Sequence, residues 1–238
     1  MTSNPFTFDY LENQLDVAID SGYQFLNCMA FMTRKRTLED KCVILRVDID
    51  ESVDKVKRLL DIFGSRDIKA TFFIRLHAEY NPFSFSNFAI IRRLIDEGHE
   101  LGYHSEVIDQ SSIWGIDPIQ CLKADLMTLR AMFGIKIRGV ASHGGRTGLN
   151  NLDFWKRHKP KEFDLDYEAY DQEENFDLFH NSLYLSDSEW TQWKAYDNGK
   201  LKVNDRRSLV EHLRDEPQRV YLLIHPETFF ERHPYERI

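Results

Sequence analysis

Cysteine is scarce. Cys28, Cys42 and Cys121 are the only three in 238 residues, odd in number and widely spaced. That excludes a disulfide framework and suits reduced thiols in a cytoplasmic protein. With 11 glycines and 7 prolines the chain is neither collagen-like nor low in complexity. Long apolar runs are missing: stretches such as Val43 to Leu45 or Val220 to Ile224 are far too short to span a bilayer, so no membrane insertion is expected. The opening MTSNPFTFDYLENQ has no basic stretch followed by an apolar one, so no signal peptide is expected. Positive charge is in deficit, 31 Lys and Arg against 39 Asp and Glu, for a net charge of -8. Nucleic acid and anionic membrane surfaces, which need a positive footprint, are poor partners for such a chain.

What the chain does have is apolar residues, 42%, enough for a sizeable core. Short apolar runs alternate with amphipathic segments. VILRVDID (43–50), KATFFIRL (69–76), HELGYH (99–104), IRGVASHGG (137–145) and RVYLLIHPE (219–227) read as strands. SVDKVKRLLDIFGSR (52–66), SFSNFAIIRRLIDEG (84–98), DPIQCLKADLMTLRAMFG (117–134) and SLVEHLRD (208–215) read as helices, several with good boundary residues. Repeated strand–helix units predict a parallel sheet. Residues 160–205 are less regular, with short strands and long loops. The expected organisation is a single domain over 1–238. Residues 1–40 form an N-terminal extension made of a helix (FDYLENQLDVAIDSG) and a strand (YQFLNCMAF).

In parallel βα folds function collects at the C-terminal ends of the strands. Those ends here read Asp48-Ile49-Asp50, His99 to His104 with Ser105 and Glu106, Ser142-His143-Gly144-Gly145, and His225-Pro226-Glu227. Four strand ends thus bring carboxylates and imidazoles to one rim. Asp48 and Asp50 leave the strand on one face, roughly 6–7 Å apart. One could hold a metal while the other sits beside the attacking water. Asp50 equally suits the cap of the following helix. Imidazole and carboxylate together are the ligand set of Zn²⁺ and similar ions.

The ordered runs LRVDID, KATFF, GHELGYH and LLIHPE resemble the polysaccharide deacetylase superfamily, the NodB-homology or carbohydrate esterase 4 group, over about residues 40–230. The resemblance implies a distorted (β/α) barrel with seven parallel strands and a metal-dependent hydrolase acting on N- or O-acetylated sugars. It makes Asp48 the catalytic base, Asp50 and His104 metal ligands and His225 the general acid, with His99 in a supporting place. Two motifs depart from the pattern. Ile108 stands where the second metal histidine is usual, and Arg138-Gly139-Val140 replaces Arg-x-Pro. His143 is the expected replacement ligand, with Glu106 as runner-up. These features resemble a divergent deacetylase-like subgroup found mainly in surface-polysaccharide biosynthesis.

The expected function is removal of an acetyl group from a sugar or nucleotide-linked sugar with one divalent ion, zinc foremost. Two readings compete with it: a degenerate barrel that binds carbohydrate or a partner protein, and a hydrolase or isomerase of another substrate. The 160–205 segment holds Tyr167, Tyr170, Asp171, Trp190, Trp193, Tyr196, Asn204 and Asp205, residues that suit a sugar or simply pack a covering loop. Trp190 and Glu106 are expected substrate contacts. Arg75 and Arg146 would meet an anionic group such as a diphosphate.

Overall fold

The computed structural model describes residues 5–34, 41–172, 176–233 and 236. In chain order it contains α1 (Phe8–Asp20), β1 (Gln24–Leu26), α2 (Cys28–Thr33), β2 (Cys42–Ile49), α3 (Val56–Gly64), β3 (Thr71–Ile74), α4 (Phe85–Asp96), β4 (Glu100–Ser105), α5 (Val107–Trp114), α6 (Pro118–Phe133) and β5 (Gly139–Ser142). There follow β6 (Tyr167–Glu168), β7 (Leu183–Ser186), β8 (Lys194–Asp197), β9 (Lys200–Leu201), α7 (Leu209–Leu213) and β10 (Arg219–Ile224), with two short 3₁₀ helices between β5 and β6 and a third after β10.

The strands lie in the order β6-β5-β4-β3-β2-β10-β7-β8-β9. Every pairing from β6 across to β7 is parallel, which gives the seven parallel strands that the family resemblance implies. β8 and β9 extend this set antiparallel. β1 pairs with residues 42–44 of β2, below the level at which β3 begins.

Alternate residues of the strands enter two separate cores. Val43, Leu45 and Val47 of β2, Phe72 of β3, and Val220 and Leu222 of β10 pack outward with the helices. Ile44, Phe73, Ala141, Tyr167, Tyr184, Tyr221 and Leu223 pack inward on one another. An inner core shared by β6 and β7 brings the two ends of the parallel set together. No ladder joins them among the described residues, and the hydroxyls of Tyr170 and Tyr184 meet there at 3.2 Å. The arrangement is compatible with a barrel bridged by side chains along one seam. Small residues make room for the inner rings. A Cβ on Gly102 would stand 2.4 Å from the Phe73 ring, and one on Gly139 2.2 Å from that of Tyr167.

Helix ends follow the sequence signals. Asp117 caps α6 through the amides of Ile119 and Gln120, and Gly134 ends it in a left-handed conformation. The sequence reading fails at two places. YQFLNCMAF is not one strand, because the Asn27 side chain accepts from the Ala30 amide at 2.7 Å and starts α2. The first turn of α2 then meets the lower strands: Cys28 N–H donates to Thr71 Oγ1, and Met29 N–H to Glu100 Oε2. Helix α5 was not foreseen. Its eight residues carry little apolar periodicity, and it is ended by Gly115 with a left-handed backbone. The three cysteines are free and buried. No described helix is long and apolar enough to cross a membrane.

Candidate active site

β2 runs Arg46, Val47, Asp48, Ile49 into Asp50, so Arg46, Asp48 and Asp50 share the inner face by strand parity. Asp50 does not cap a helix: α3 starts later, at Val56, with Lys55 before it and no side-chain cap. His104 is the penultimate residue of β4, and His143 and His225 directly follow β5 and β10. All these groups line one cleft of about 250 Å³, together with Ser142, Tyr170, Tyr184 and Trp190. Such a volume holds roughly eight waters.

Asp50 is the focus. His104 Nε2 lies 3.3 Å from its Oδ1, while His225 Nε2 and His143 Nε2 lie 3.6 and 3.8 Å from its Oδ2. Two of the imidazoles, His104 and His225, are held from behind through Nδ1, and the third has a carboxylate beside it. His104 Nδ1 donates to Ala141 O at 2.9 Å. His143 Nδ1 faces Glu106 Oε1 at 3.2 Å. His225 Nδ1 is 2.6 Å from Asp187 Oδ1, and Asp187 Oδ2 accepts the His225 amide. An Nδ1 committed to an oxygen leaves Nε2 to act at the centre.

Asp48 stands beside Asp50, 3.1 Å from His104 Nε2. Arg46 grips it with two bonds, Nε to Oδ1 at 2.8 Å and Nη2 to Oδ2 at 2.6 Å. The guanidinium also lies over the rings of Phe73 and Tyr170. Burial would raise the Asp48 carboxyl, but the Arg46 and His104 charges outweigh it and hold it below the usual range. Asp50 goes the same way: burial is overcome by His104, His225 and His143. His225 moves upward. Burial disfavours its charge, yet Asp187, Asp50 and Asp48 push it to about 10.

Three of the expected substrate contacts do not line the cleft. Glu106 and Arg75 are buried against each other through bonds of 3.1 and 2.7 Å and do not line the cleft. Arg75 Nη1 donates to Asp50 O at 2.8 Å. The pair ties the end of β2 to the back of His143. Arg146 is exposed outside the cleft, and it is its backbone amide that is engaged, by Asp109 Oδ2 at 3.0 Å. Trp190 does line the cleft, 42% exposed. Of the other aromatics from 160–205, Tyr170 and Tyr184 join it. Tyr167 fills the inner core and Trp193 bonds to Tyr10 on the outer side. His99 accepts from the Ala70 amide, away from the site.

Sequence reasoning missed Arg46 and Asp187. Arg46 carried a signal, a lone cation in a buried strand two residues before Asp48. Asp187 carried none, because it lies in an irregular segment.

Among the described residues no three His, Cys, Asp or Glu side chains are arranged so that they could hold a metal ion as they stand. The donor chemistry nevertheless fits a divalent cation. Asp50, His104 and His143 offer one carboxylate and two imidazoles, and Asp50 Oδ1 is buried with no hydrogen-bond partner.

The family model described as Polysaccharide deacetylase matches residues 35–161. No curated protein matches the chain. Among solved structures, the chitin deacetylase of the fungal pathogen Colletotrichum lindemuthianum is 25% identical with a TM-score of 0.37. That match covers 42% of this chain and 45% of the other. A mutant of the peptidoglycan deacetylase PdaC from Bacillus subtilis is 16% identical, covers 78% and 75%, and has a TM-score of 0.47. BA3943 of Bacillus anthracis, a CE4 family pseudoenzyme, is 15% identical, covers 78% and 55%, and has a TM-score of 0.45.

Proposed function

The chain belongs to the polysaccharide deacetylase family, and from that premise we propose that it is a metal-dependent hydrolase. Its substrate is an acylated, foremost N- or O-acetylated, sugar or nucleotide-linked sugar of surface-polysaccharide biosynthesis. The observation that carries this reading is the convergence of three imidazoles on Asp50, with Asp48 beside them.

Asp50, His104 and His143 would hold the ion, zinc foremost. A divalent cation there supplies Lewis acidity toward water and toward the acyl oxygen. Asp48, kept ionised and fixed by Arg46, takes the proton of the attacking water. His225, protonated at neutral pH by virtue of Asp187, gives a proton to the departing amine or alcohol. Trp190 and Tyr170 offer apolar faces to the sugar ring.

The experiment is acetate release from a panel of N- and O-acetylated sugars and nucleotide sugars with Zn²⁺ supplied, alongside metal analysis of the protein as purified. About one divalent ion per chain and acetate release that is lost in Asp48→Asn support the reading. Metal-free protein that still binds sugar without hydrolysing it would instead establish a binding role.

A further inference from the structure

His143 sits at the start of a loop, residues 143–150, that carries three glycines and no regular structure. Such a loop would not by itself hold a ligand still. Two side chains outside the site bind it. Asp109, in the first turn of α5, receives four donors: Arg146 N–H at 3.0 Å, Thr147 N–H at 3.0 Å, Thr147 Oγ1 at 2.6 Å and Asn151 Nδ2 at 2.8 Å. Asn151 Nδ2 also donates to His143 O at 3.1 Å. Its Oδ1 accepts the amides of Ile108 and Asp109 at 3.0 and 3.1 Å. Asp109 and Asn151 are 3% and 0% exposed. The loop also doubles back closely, since a Cβ on Gly145 would overlap Leu149 O.

We propose that Asp109 and Asn151 are positioning residues, a latch between helix α5 and the loop that sets the direction of the His143 ring. Helix α5 begins beside Ile108, where no ligand is available. The helix thus contributes to the centre by gripping the loop that bears one. The inference rests on the reading of His143 as a ligand. Asp109 and Asn151 do not line the cleft, and reach it through the loop that bears His143. Thr147 closes the latch from the loop side through both its amide and its hydroxyl.

The test is titration of the metal-free protein with Co²⁺, read from the visible spectrum of the bound ion, with far-UV circular dichroism as the check on folding. Asp109→Asn and Asn151→Ala are each expected to weaken Co²⁺ binding about 10–100-fold, the usual loss when a group supporting a ligand is removed. Each should also change the shape of the spectrum. Thr147→Val should weaken binding in the same direction and Thr147→Ser should restore it, a pair that keeps the test open if Asp109→Asn does not fold. His143→Ala is the reference. If it leaves Co²⁺ binding unchanged, His143 is not a ligand, and both that reading and the latch are overturned. If it weakens binding while the folded Asp109, Asn151 and Thr147 variants bind as the parent does, only the latch is overturned.

Discussion

Arg46 and Asp48, two residues apart on one strand, face each other inside the sheet through bonds of 2.8 and 2.6 Å, each about 1% exposed. Removing one partner of a buried pair leaves the other charge without compensation. Arg46→Met should therefore destabilise the protein by about 3–5 kcal/mol. Arg46→Lys should restore little, since an ammonium cannot make the forked contact. Urea unfolding measures both, and an Arg46→Met protein as stable as the parent would refute the pairing.

The Asp187–His225 contact should show in the pH dependence. His225 is raised from 6.5 to about 10 on folding. For a group raised in the folded state, the stabilisation is full below the unfolded value of 6.5 and fades as pH climbs through the folded value. Melting temperature of the metal-free protein should fall between neutral pH and pH 10, and Asp187→Asn should flatten that fall. In the enzyme assay, Asp187→Asn should move the alkaline limb of kcat/KM to lower pH. An unmoved limb would remove His225 from the role of acid.

At the acid side the sign is opposite. Burial would raise Glu106, but His143 and Arg75 hold it at about 2, below its ordinary 4.5. Its stabilisation is present above 4.5 and is lost as pH falls toward 2. Glu106→Gln should therefore narrow the stability difference between pH 6 and pH 3, as read from urea midpoints.

Trp190 and Arg146 were both expected to meet substrate, and the structure separates them. Trp190→Ala should raise KM about 10-fold with kcat nearly kept, as loss of uniform binding does. Arg146→Ala, outside the cleft, should leave both constants unchanged. Steady-state kinetics on the acetylated substrate decide, and the reverse pattern would move the sugar to the Arg146 side.

Gly102 tests the inner core. With the Phe73 ring 2.4 Å from where a Cβ would sit, Gly102→Ala forces the ring or the strand aside. It should cost about 1–3 kcal/mol, as overpacking does. A neutral result in urea unfolding would mean that the ring has room to turn.

The sequence alone determined the parallel strand–helix order, the family resemblance, and the strand ends at which Asp48, Asp50, His104, His143 and His225 stand. These follow from apolar periodicity, cap residues and strand parity, which are local in the chain. The strand expected over YQFLNCMAF was lost to a side-chain cap, and α5 was hidden because its residues carry no strong period. Only the tertiary structure decided what each charged group faces. It turned Arg75 and Glu106 to each other behind His143, set Asp187 against His225 from 38 positions away in the chain, and folded the loop after β5 onto Asp109. Pairings of this kind depend on which strand ends come together across the sheet, and on the need of every buried charge for a partner. No residue's nearest neighbours in the chain record either.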